Sequence, residues 1–220
     1  MRRPLMRQVR CAVRYRSSMD RERMVEVGVG LVSRFGAKTL SLTSVARHAG
    51  VARATAYRMF GGRDALVAAI VEREIAQLRI KLREWAASEP DAAGKVRAQI
   101  RNVLPYIREH EALQYVLRKE PEEIVRAVIS SDDGEGPSLV SQIVDQTLPD
   151  LEPDIGEHLV PDPRGAAEFL VRVIYSVMLV PRSSLTDEQI ADLVVRAIVD
   201  DDRMGHPASA IGAPADVDAD

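Results

Sequence analysis

Two short helical patterns joined at a glycine constrain the fold of this chain more than any other feature. The first runs from Thr43, a favourable helix N-cap, to Gly50, and the second runs from Val51 to Phe60. The inward-facing residues of the first are Val45, Ala46 and Ala49. Two short helices joined by a tight turn that contains glycine form a helix-turn-helix. The pattern therefore predicts this motif, with Val51 buried in the turn and Phe60 in the core.

The second helix of the motif carries side chains suited to phosphates and base edges. They are Arg53, Thr55, Tyr57 and Arg58. Residues 1–63 contain 14 basic and 3 acidic residues, whereas the remainder contains 16 basic and 30 acidic residues. A basic segment attached to an acidic one is typical of a polyanion-binding region on a body that does not bind the polyanion. The N-terminal third is therefore predicted to bind DNA.

The segment before the motif divides into an arm and a helix. Residues 1–18 hold six arginines, no acidic residue and no clear helix cap, which predicts a flexible basic arm able to contact DNA. Translation from Met19 would instead leave this arm out of the protein. A first helix is predicted over residues 18–35, with one apolar face. That face is Met24, Val27, Leu31, Val32 and Phe35. Gly28 lies on it, where a small residue allows another helix to cross closely.

The rest of the chain predicts helices, with few aromatic residues and many aliphatic ones. The expected spans are 64–88, 91–110, 111–119, 121–130, 138–151, 164–180 and 186–200. Thr186 and Gln189 form a capping box at the start of the last helix. Residues 151–165 contain three prolines and are predicted to be a loop. Glu120, Glu123, Asp132 and Asp133 are expected to be solvated.

These patterns predict an all-α protein, with a three-helix helix-turn-helix domain followed by a helical bundle. The head is residues 19–66, and the body is residues 67–202. Residues 1–18 form the arm, and residues 203–220, rich in Ala, Pro, Gly and Asp, are expected to be a disordered tail.

The sequence gives no support for an enzyme, a metal site or a cofactor. It has no nucleophile elbow, no phosphate-binding glycine loop and no histidine pair at metal-ligand spacing. The single cysteine, Cys11, excludes an internal disulfide, and the chain has no long apolar run or signal-peptide pattern. We therefore expect a cytoplasmic protein that is not an enzyme.

Residues 24–66 also carry a series of motif positions in a fixed order. They are Gly36, Ala46, Gly50-Val51, Thr55, Tyr57-Arg58-Met59-Phe60 and Arg63-Asp64-Ala65-Leu66. In this order and spacing they resemble the DNA-binding region of the TetR family of one-component bacterial regulators. Val32 stands where the family commonly has an aromatic residue, and Phe35 is expected to compensate for it.

The resemblance implies a set of DNA-binding positions and a mode of assembly. The implied DNA-binding residues are Thr43, Arg53, Ala54, Thr55, Tyr57, Arg58 and Arg63. Thr43 and Arg63 would hold phosphates at helix N-termini, and Arg53 and Thr55 would face the major groove. The family's last two helices pair across a homodimer, and the strongly apolar pattern of residues 164–180 agrees with that role. A dimer would read a palindromic operator in double-stranded DNA and act as a repressor.

The resemblance further implies a small-molecule effector that binds among the middle helices and releases DNA. The candidate effector-binding residues are Leu104, Ile107, Leu113, Tyr115, Val116, Leu117, Phe169, Val173 and Tyr175. Their aliphatic character with tyrosine hydroxyls favours an elongated apolar ligand such as a fatty acid or acyl derivative. The alternative is that these residues only fill the core.

Two other functions agree with the same sequence. The chain would serve equally as a transcriptional activator or as a DNA-binding protein without a ligand. A helical adaptor that binds proteins through its acidic body is a further alternative, and it would show no salt-dependent affinity for DNA.

Overall fold

The computed structural model describes residues 5–128 and 138–200 of the chain, with side chains from residue 18 onward. Eleven α-helices lie in these ranges, together with a 3-10 turn at Leu148–Asp150 and one isolated bridge between Leu159 and Val199. The helices are α1 (Leu5–Phe35), α2 (Leu42–His48), α3 (Arg53–Phe60), α4 (Arg63–Ala86), α5 (Ala92–Glu109), α6 (Glu111–Lys119), α7 (Pro121–Val128), α8 (Leu139–Thr147), α9 (Pro153–Gly156), α10 (Pro163–Leu179) and α11 (Asp187–Ile198). The predicted all-α class is confirmed.

The helix-turn-helix forms because a short turn lets two apolar faces share one core. Gly50 adopts a positive φ of 65° after α2, and the Val51 N–H donates to the Ala46 carbonyl at 2.8 Å. Val51 and Phe60 are buried, as predicted. The first core comprises residues of α1 to α4 and of α6, among them Met24, Val45, Ala56, Leu66, Ile70, Ala112 and Val116. Packing is therefore continuous across residue 66, the predicted end of the head.

Helix α1 begins earlier than predicted and crosses α4 closely. Its backbone is helical from Leu5, so the expected start at residue 18 is wrong. Residues 5–17 contain no proline or glycine, and many are good helix formers, so the helix continues upstream without the cap that its start was expected to need. A Cβ at Gly28 would lie 2.6 Å from Ile70 Cδ1, so a larger residue would require the Ile70 side chain to move, which agrees with the close crossing expected here.

One predicted core residue lies outside the core. Phe35 is 58% exposed, whereas Val32 is buried, so the expected compensation by Phe35 is wrong. Phe35 is the last residue of α1, where the chain turns at Gly36 (φ 86°), and its side chain has no facing helix to bury it.

The body has a second core. Helix α5 packs against α4 and α11, and α10 packs against α8 and α5. The residues buried there include Ile100, Leu104, Ile155, Ala166, Ala191 and Val194. The predicted capping box of α11 is present, with reciprocal hydrogen bonds between Thr186 and Gln189. The predicted loop over residues 151–165 contains the one-turn helix α9, because Pro153 suits a first helical position.

Three of the predicted features lie outside the described residues: positions 1–4 of the arm, the acidic pair Asp132 and Asp133, and the tail over residues 203–220. No described helix is both long enough and apolar enough to cross a membrane.

Candidate nucleic-acid interface

Helix α3 has a buried side and a broad exposed side. Ala56 and Phe60 are buried and fix the helix on the first core. Arg53, Ala54, Tyr57 and Arg58 are exposed, Tyr57 by 42%, and Thr55 is half-buried. A helix anchored at two positions on one side presents the opposite side as a rigid surface, which is the geometry that a major groove accepts.

The exposed side chains of α3 contact one another. The Arg53 guanidinium lies 5.5 Å from the centroid of the Tyr57 ring, and Arg58 Nη2 donates to Thr55 Oγ1 at 3.2 Å. The cation–π contact and the hydrogen bond limit the conformations of both arginines before any ligand binds. They also leave most of the guanidinium donors free for phosphates or bases.

The positive charges on this surface are not neutralised by the protein. Within the described ranges, Arg47, Arg53 and Arg58 form no ion pair. Uncompensated arginines on a rigid face attract a polyanion, and their attraction weakens as salt is added.

Thr43 lies at the start of α2 but does not cap it. The N-cap is Ser41, whose hydroxyl accepts the Ser44 N–H at 3.1 Å, so the predicted capping role of Thr43 is wrong. Leu42 must be helical to place its side chain in the core, where it is buried, and this moves the helix start two residues upstream. Thr43 remains exposed in the first turn of α2, the end of a helix that favours anions.

Arg63 is held by the protein itself. Its Nε donates to the Leu40 carbonyl at 3.1 Å and its Nη2 to the Ala37 carbonyl at 2.8 Å. Its Nη1 lies 3.3 Å from Asp64 Oδ1. The residue expected to clamp a phosphate therefore also joins the start of α4 to the segment between α1 and α2.

The nine predicted effector residues fall into three places, two of which share Val173. Leu104, Ile107 and Val173 contribute to the second core, and Tyr175 is buried on α10, where desolvation raises the pKa of its hydroxyl. The four residues of α6 lie beside the head: Val116 is part of the first core, and Tyr115 lines a groove next to α1 and α2. Phe169 and Val173 line a third place, between α10 and α11. The structure does not bring the nine together in one pocket.

The groove between α10 and α11 is almost entirely apolar. Its volume is about 230 Å³, and Phe169 and Leu193 at its rim are 44% and 47% exposed. The other lining residues are Val173, Val177, Ser183, Leu185, Ile190 and Val194. Exposed aromatic and aliphatic side chains grouped in this way are typical of a surface that another protein surface covers.

One residue of the interface region was missed by the sequence reasoning. Glu120, expected to be solvated, is only 7% exposed, and its carboxylate accepts the backbone N–H groups of Ala37 and Lys38. It lies in an acidic run, which by itself is typical of a solvated surface. The only local signal is its position at the end of α6, directly before Pro121.

Comparison with known proteins agrees with this geometry. Residues 25–70, which span the C-terminal third of α1 through the first turns of α4, match the family model described as bacterial regulatory proteins, tetR family. Over 201 residues the chain is 24% identical to an uncharacterized HTH-type transcriptional regulator of Mycobacterium tuberculosis. The match covers 87% of this chain and 94% of the relative.

Solved structures with the same fold include a TetR family repressor and two proteins in complex with a small ligand. AlkX, a TetR family repressor from Dietzia sp. implicated in biodegradation of n-alkanes, is similar with a TM-score of 0.60 and 18% identity, over 80% of this chain and 91% of that one. RolR in complex with resorcinol is similar with a TM-score of 0.57 and 15% sequence identity, over 90% of this chain and 99% of that one. SmeT in complex with triclosan is similar with a TM-score of 0.52 and 18% sequence identity, over 90% of this chain and 100% of that one.

The family match covers the residues that form the helix-turn-helix, and the helices that follow have the arrangement found in solved TetR-type proteins. Residues 25–70 therefore match the DNA-binding region of the TetR family of bacterial regulators, and the chain as a whole is similar to an HTH-type transcriptional regulator and has the fold of a TetR family repressor.

Proposed function

We propose that this protein is a homodimeric repressor that binds a palindromic operator through the exposed face of α3. The observation that carries the proposal is the set of uncompensated arginines on that face, fixed in place by the buried Ala56 and Phe60. DNA is the polyanion with grooves of the right size for a single helix. A protein that acts on bacterial DNA works in the cytoplasm.

Within this proposal each site residue has a role set by its position. Arg53, Ala54 and Thr55, in the first turn of α3, face the base edges, while Tyr57 and Arg58 contact phosphates or bases. Thr43 donates its hydroxyl to a phosphate at the start of α2. Arg63 uses Nε and Nη2 to hold the segment between α1 and α2, and its Nη1, which lies beside the exposed Asp64, is the nitrogen that would contact a phosphate.

The groove between α10 and α11 supports the homodimer. Its rim exposes Phe169 and Leu193, and a second copy related by a twofold axis would cover both. Two heads held at a fixed distance by such an interface read two half-sites, which supports the palindromic operator.

We propose a small apolar, fatty-acid-like effector that binds in the body, residues 67–202, and releases DNA. The aliphatic second core and the buried tyrosine Tyr175 support an apolar ligand. Neighbours of the same fold bind small ligands, resorcinol in RolR and triclosan in SmeT. Helix α4, which starts at Arg63 in the head and packs on α5 in the body, would carry the change from one to the other.

A ligand-independent DNA-binding protein is the second candidate, because the nine effector residues do not meet in one pocket. Thermal unfolding measured with a series of saturated fatty acids of different chain length separates the two. An effector raises the melting temperature and lowers DNA affinity over the same concentration range. Fatty acids without either effect favour the second candidate.

The experiment that tests the central proposal is selection from random double-stranded oligonucleotides, followed by fluorescence anisotropy on the selected duplex and on a scrambled duplex. We expect a palindromic sequence, bound at least about 100-fold more tightly than the scrambled one, with affinity that falls steeply with salt. Equal affinity for both duplexes at every salt concentration would contradict sequence-specific regulation and favour the adaptor alternative.

A further inference from the structure

We propose that Glu120, at the end of α6, is a positioning residue that sets the orientation of the helix-turn-helix relative to the body. It acts through residues 36–41, the loop between α1 and α2, referred to below as the α1–α2 loop. The inference rests on the proposed function, because orientation has a consequence only if two heads must fit two half-sites.

The contacts of Glu120 place a body carboxylate on the backbone of the head. Its Oε2 accepts the Ala37 N–H at 2.7 Å and the Lys38 N–H at 3.2 Å, and the residue is 7% exposed. A carboxylate removed from water is stable only where donors replace its hydration, and here those donors are two successive backbone amides. The position of Glu120 and the position of this loop are therefore tied together.

Gly36 shows how closely α6 approaches the loop. A Cβ at this position would lie 2.4 Å from Glu120 Oε1 and 2.8 Å from Tyr115 Cε1, and Gly36 has a positive φ of 86°. Any residue with a side chain would be strained at this φ, and its Cβ would displace the Glu120 carboxylate and the Tyr115 ring. The loop and the end of α6 therefore fit each other only with glycine at residue 36.

Arg63 holds the same loop from the other side. It donates to the carbonyls of Ala37 and Leu40, so both sides of the Ala37 backbone are bonded, the N–H to Glu120 and the carbonyl to Arg63. The loop thus lies between the end of α6 and the start of α4. Helix α2 begins at Leu42, directly after it, and the orientation of α2 and α3 follows from where these two helices hold the loop.

Helix α6 is also fixed at its other end. His110, its N-cap, accepts the Leu113 N–H through Nδ1, and its Nε2 lies 2.8 Å from Glu74 Oε2 on α4. A displacement of α6 relative to α4 must therefore move either the Glu74 contact or the α1–α2 loop. Besides the packing of Ala112 and Val116 in the first core, Glu120 gives such a displacement a direct hydrogen-bonded route to the α1–α2 loop that does not pass through the length of α4.

The test compares Glu120→Gln with Glu122→Gln. The first substitution keeps the shape of the side chain but removes its negative charge, so the hydrogen bonds from the Ala37 and Lys38 N–H groups are no longer charge-assisted, and an amide NH₂ replaces the second oxygen that Lys38 N–H also contacts. Glu122 is a neighbouring, half-exposed carboxylate that pairs with Lys38 on the same loop. The probe is the duplex selected by the wild-type chain, together with duplexes whose half-sites are one base pair closer or farther apart.

We expect Glu120→Gln to remain a folded dimer and to bind the selected duplex about tenfold more weakly. Its affinity for the duplexes with altered spacing should fall less, so the ratio of affinities between the selected spacing and the altered spacings decreases. Glu122→Gln should keep the wild-type preference. Val103→Ala, which removes buried volume from the second core, serves as the control for general destabilisation and should weaken every spacing by the same factor.

The outcomes separate this inference from the proposed function. A wild-type chain that selects no sequence overturns both. A wild-type chain that selects a palindrome, with a Glu120→Gln dimer that keeps the full spacing preference, overturns the positioning role alone. If Glu120→Gln does not fold, Glu120→Asp replaces it, and an unchanged spacing preference in that shorter carboxylate has the same meaning.

Discussion

Two arginines of the DNA-binding region, five residues apart, have different surroundings. Arg58 is exposed on α3, where its guanidinium donates a hydrogen bond to Thr55 and forms no ion pair with any residue of the described part of the chain. Arg63 donates hydrogen bonds from two of its guanidinium nitrogens to the carbonyls of Ala37 and Leu40. The first is available to DNA, whereas the second stabilises the protein whether or not DNA is bound.

We predict that Arg58→Ala weakens operator binding about tenfold and leaves the unfolding temperature unchanged, because the side chain makes no buried contact. Arg63→Ala should weaken binding and also lower the free energy of unfolding by about 1–3 kcal/mol, since two backbone carbonyls lose their donors. Anisotropy and urea denaturation measure the two effects. Arg83→Ala, on the exposed far end of α4, is the control. If Arg58→Ala and Arg63→Ala have the same free energy of unfolding, the hydrogen bonds of Arg63 to the Ala37 and Leu40 carbonyls do not stabilise the protein, and this prediction is wrong.

Residues whose role depends on a distant partner could not be predicted from the sequence. Glu120 meets Ala37 and Lys38 across more than 80 residues, and nothing in its acidic surroundings indicates that contact. Ser41 and Thr43 are both good caps, and the choice between them depends on Leu42 reaching the core. The exposed residues of α3 were predictable, because helical periodicity alone places Ala56 and Phe60 on the opposite side.

At the scale of the helix, local signals predicted most elements, and six of the described helices (α2, α5, α6, α8, α10 and α11) begin directly after a residue whose side chain caps them. Helix α11 is the strongest case, with the Thr186 hydroxyl accepting the Gln189 N–H at 3.2 Å and the Gln189 side chain accepting the Thr186 N–H at 2.9 Å. Helix α1 is the opposite case. Its upstream residues lack a cap, and the helix continues through them because nothing there interrupts it.

We predict that Thr186→Ala lowers the free energy of unfolding by about 1 kcal/mol, because the N-cap acceptor of α11 is lost. Thr186→Ser keeps the hydroxyl and should stay within a few tenths of a kcal/mol of the wild type. Urea denaturation at one fixed protein concentration measures both, since dimer stability depends on concentration. A Thr186→Ser variant as unstable as Thr186→Ala would contradict the capping role.

The first residue of α11 gives a prediction about pH. Arg108 of α5 donates two hydrogen bonds to Asp187, at 2.6 and 2.7 Å, and these bonds lower the pKa of the Asp187 carboxyl. A carboxyl whose pKa is lower in the folded state stabilises the protein above its unfolded pKa, about 3.9. That contribution is lost as the pH falls through the lowered pKa.

Asp187→Asn should therefore destabilise the protein at neutral pH and make no difference in strong acid. Both partners are partly exposed, so solvent screening limits the effect to less than about 1 kcal/mol. Denaturation curves of the two proteins from neutral pH down to strong acid measure it, with Glu84→Gln, an exposed carboxylate on α4, as the control. A difference that persists unchanged in acid would point to a cause other than the charge of Asp187.

At the scale of the whole molecule, the charge and the apolar surface lie in different regions. The N-terminal 63 residues carry the excess of basic residues, and the remainder carries the excess of acidic ones. The apolar groove between α10 and α11 lies in the acidic part. An acidic body is repelled by DNA, so two copies that pair through this groove would direct their basic heads toward the duplex.

Leu193→Glu tests this arrangement, because it places a charge at the rim of the apolar groove, at a residue that is already 47% exposed in one chain. An exposed position tolerates glutamate in the monomer, whereas a desolvated, unpaired carboxylate in an interface opposes association. We predict a folded monomer by sedimentation, with affinity for the palindrome reduced more than about tenfold and affinity for a single half-site retained. Val125→Glu, an exposed apolar residue on α7, should remain dimeric with full affinity. A Leu193→Glu protein that sediments as a dimer would place the interface on a different face, and the two heads would then have a separation that this groove does not determine.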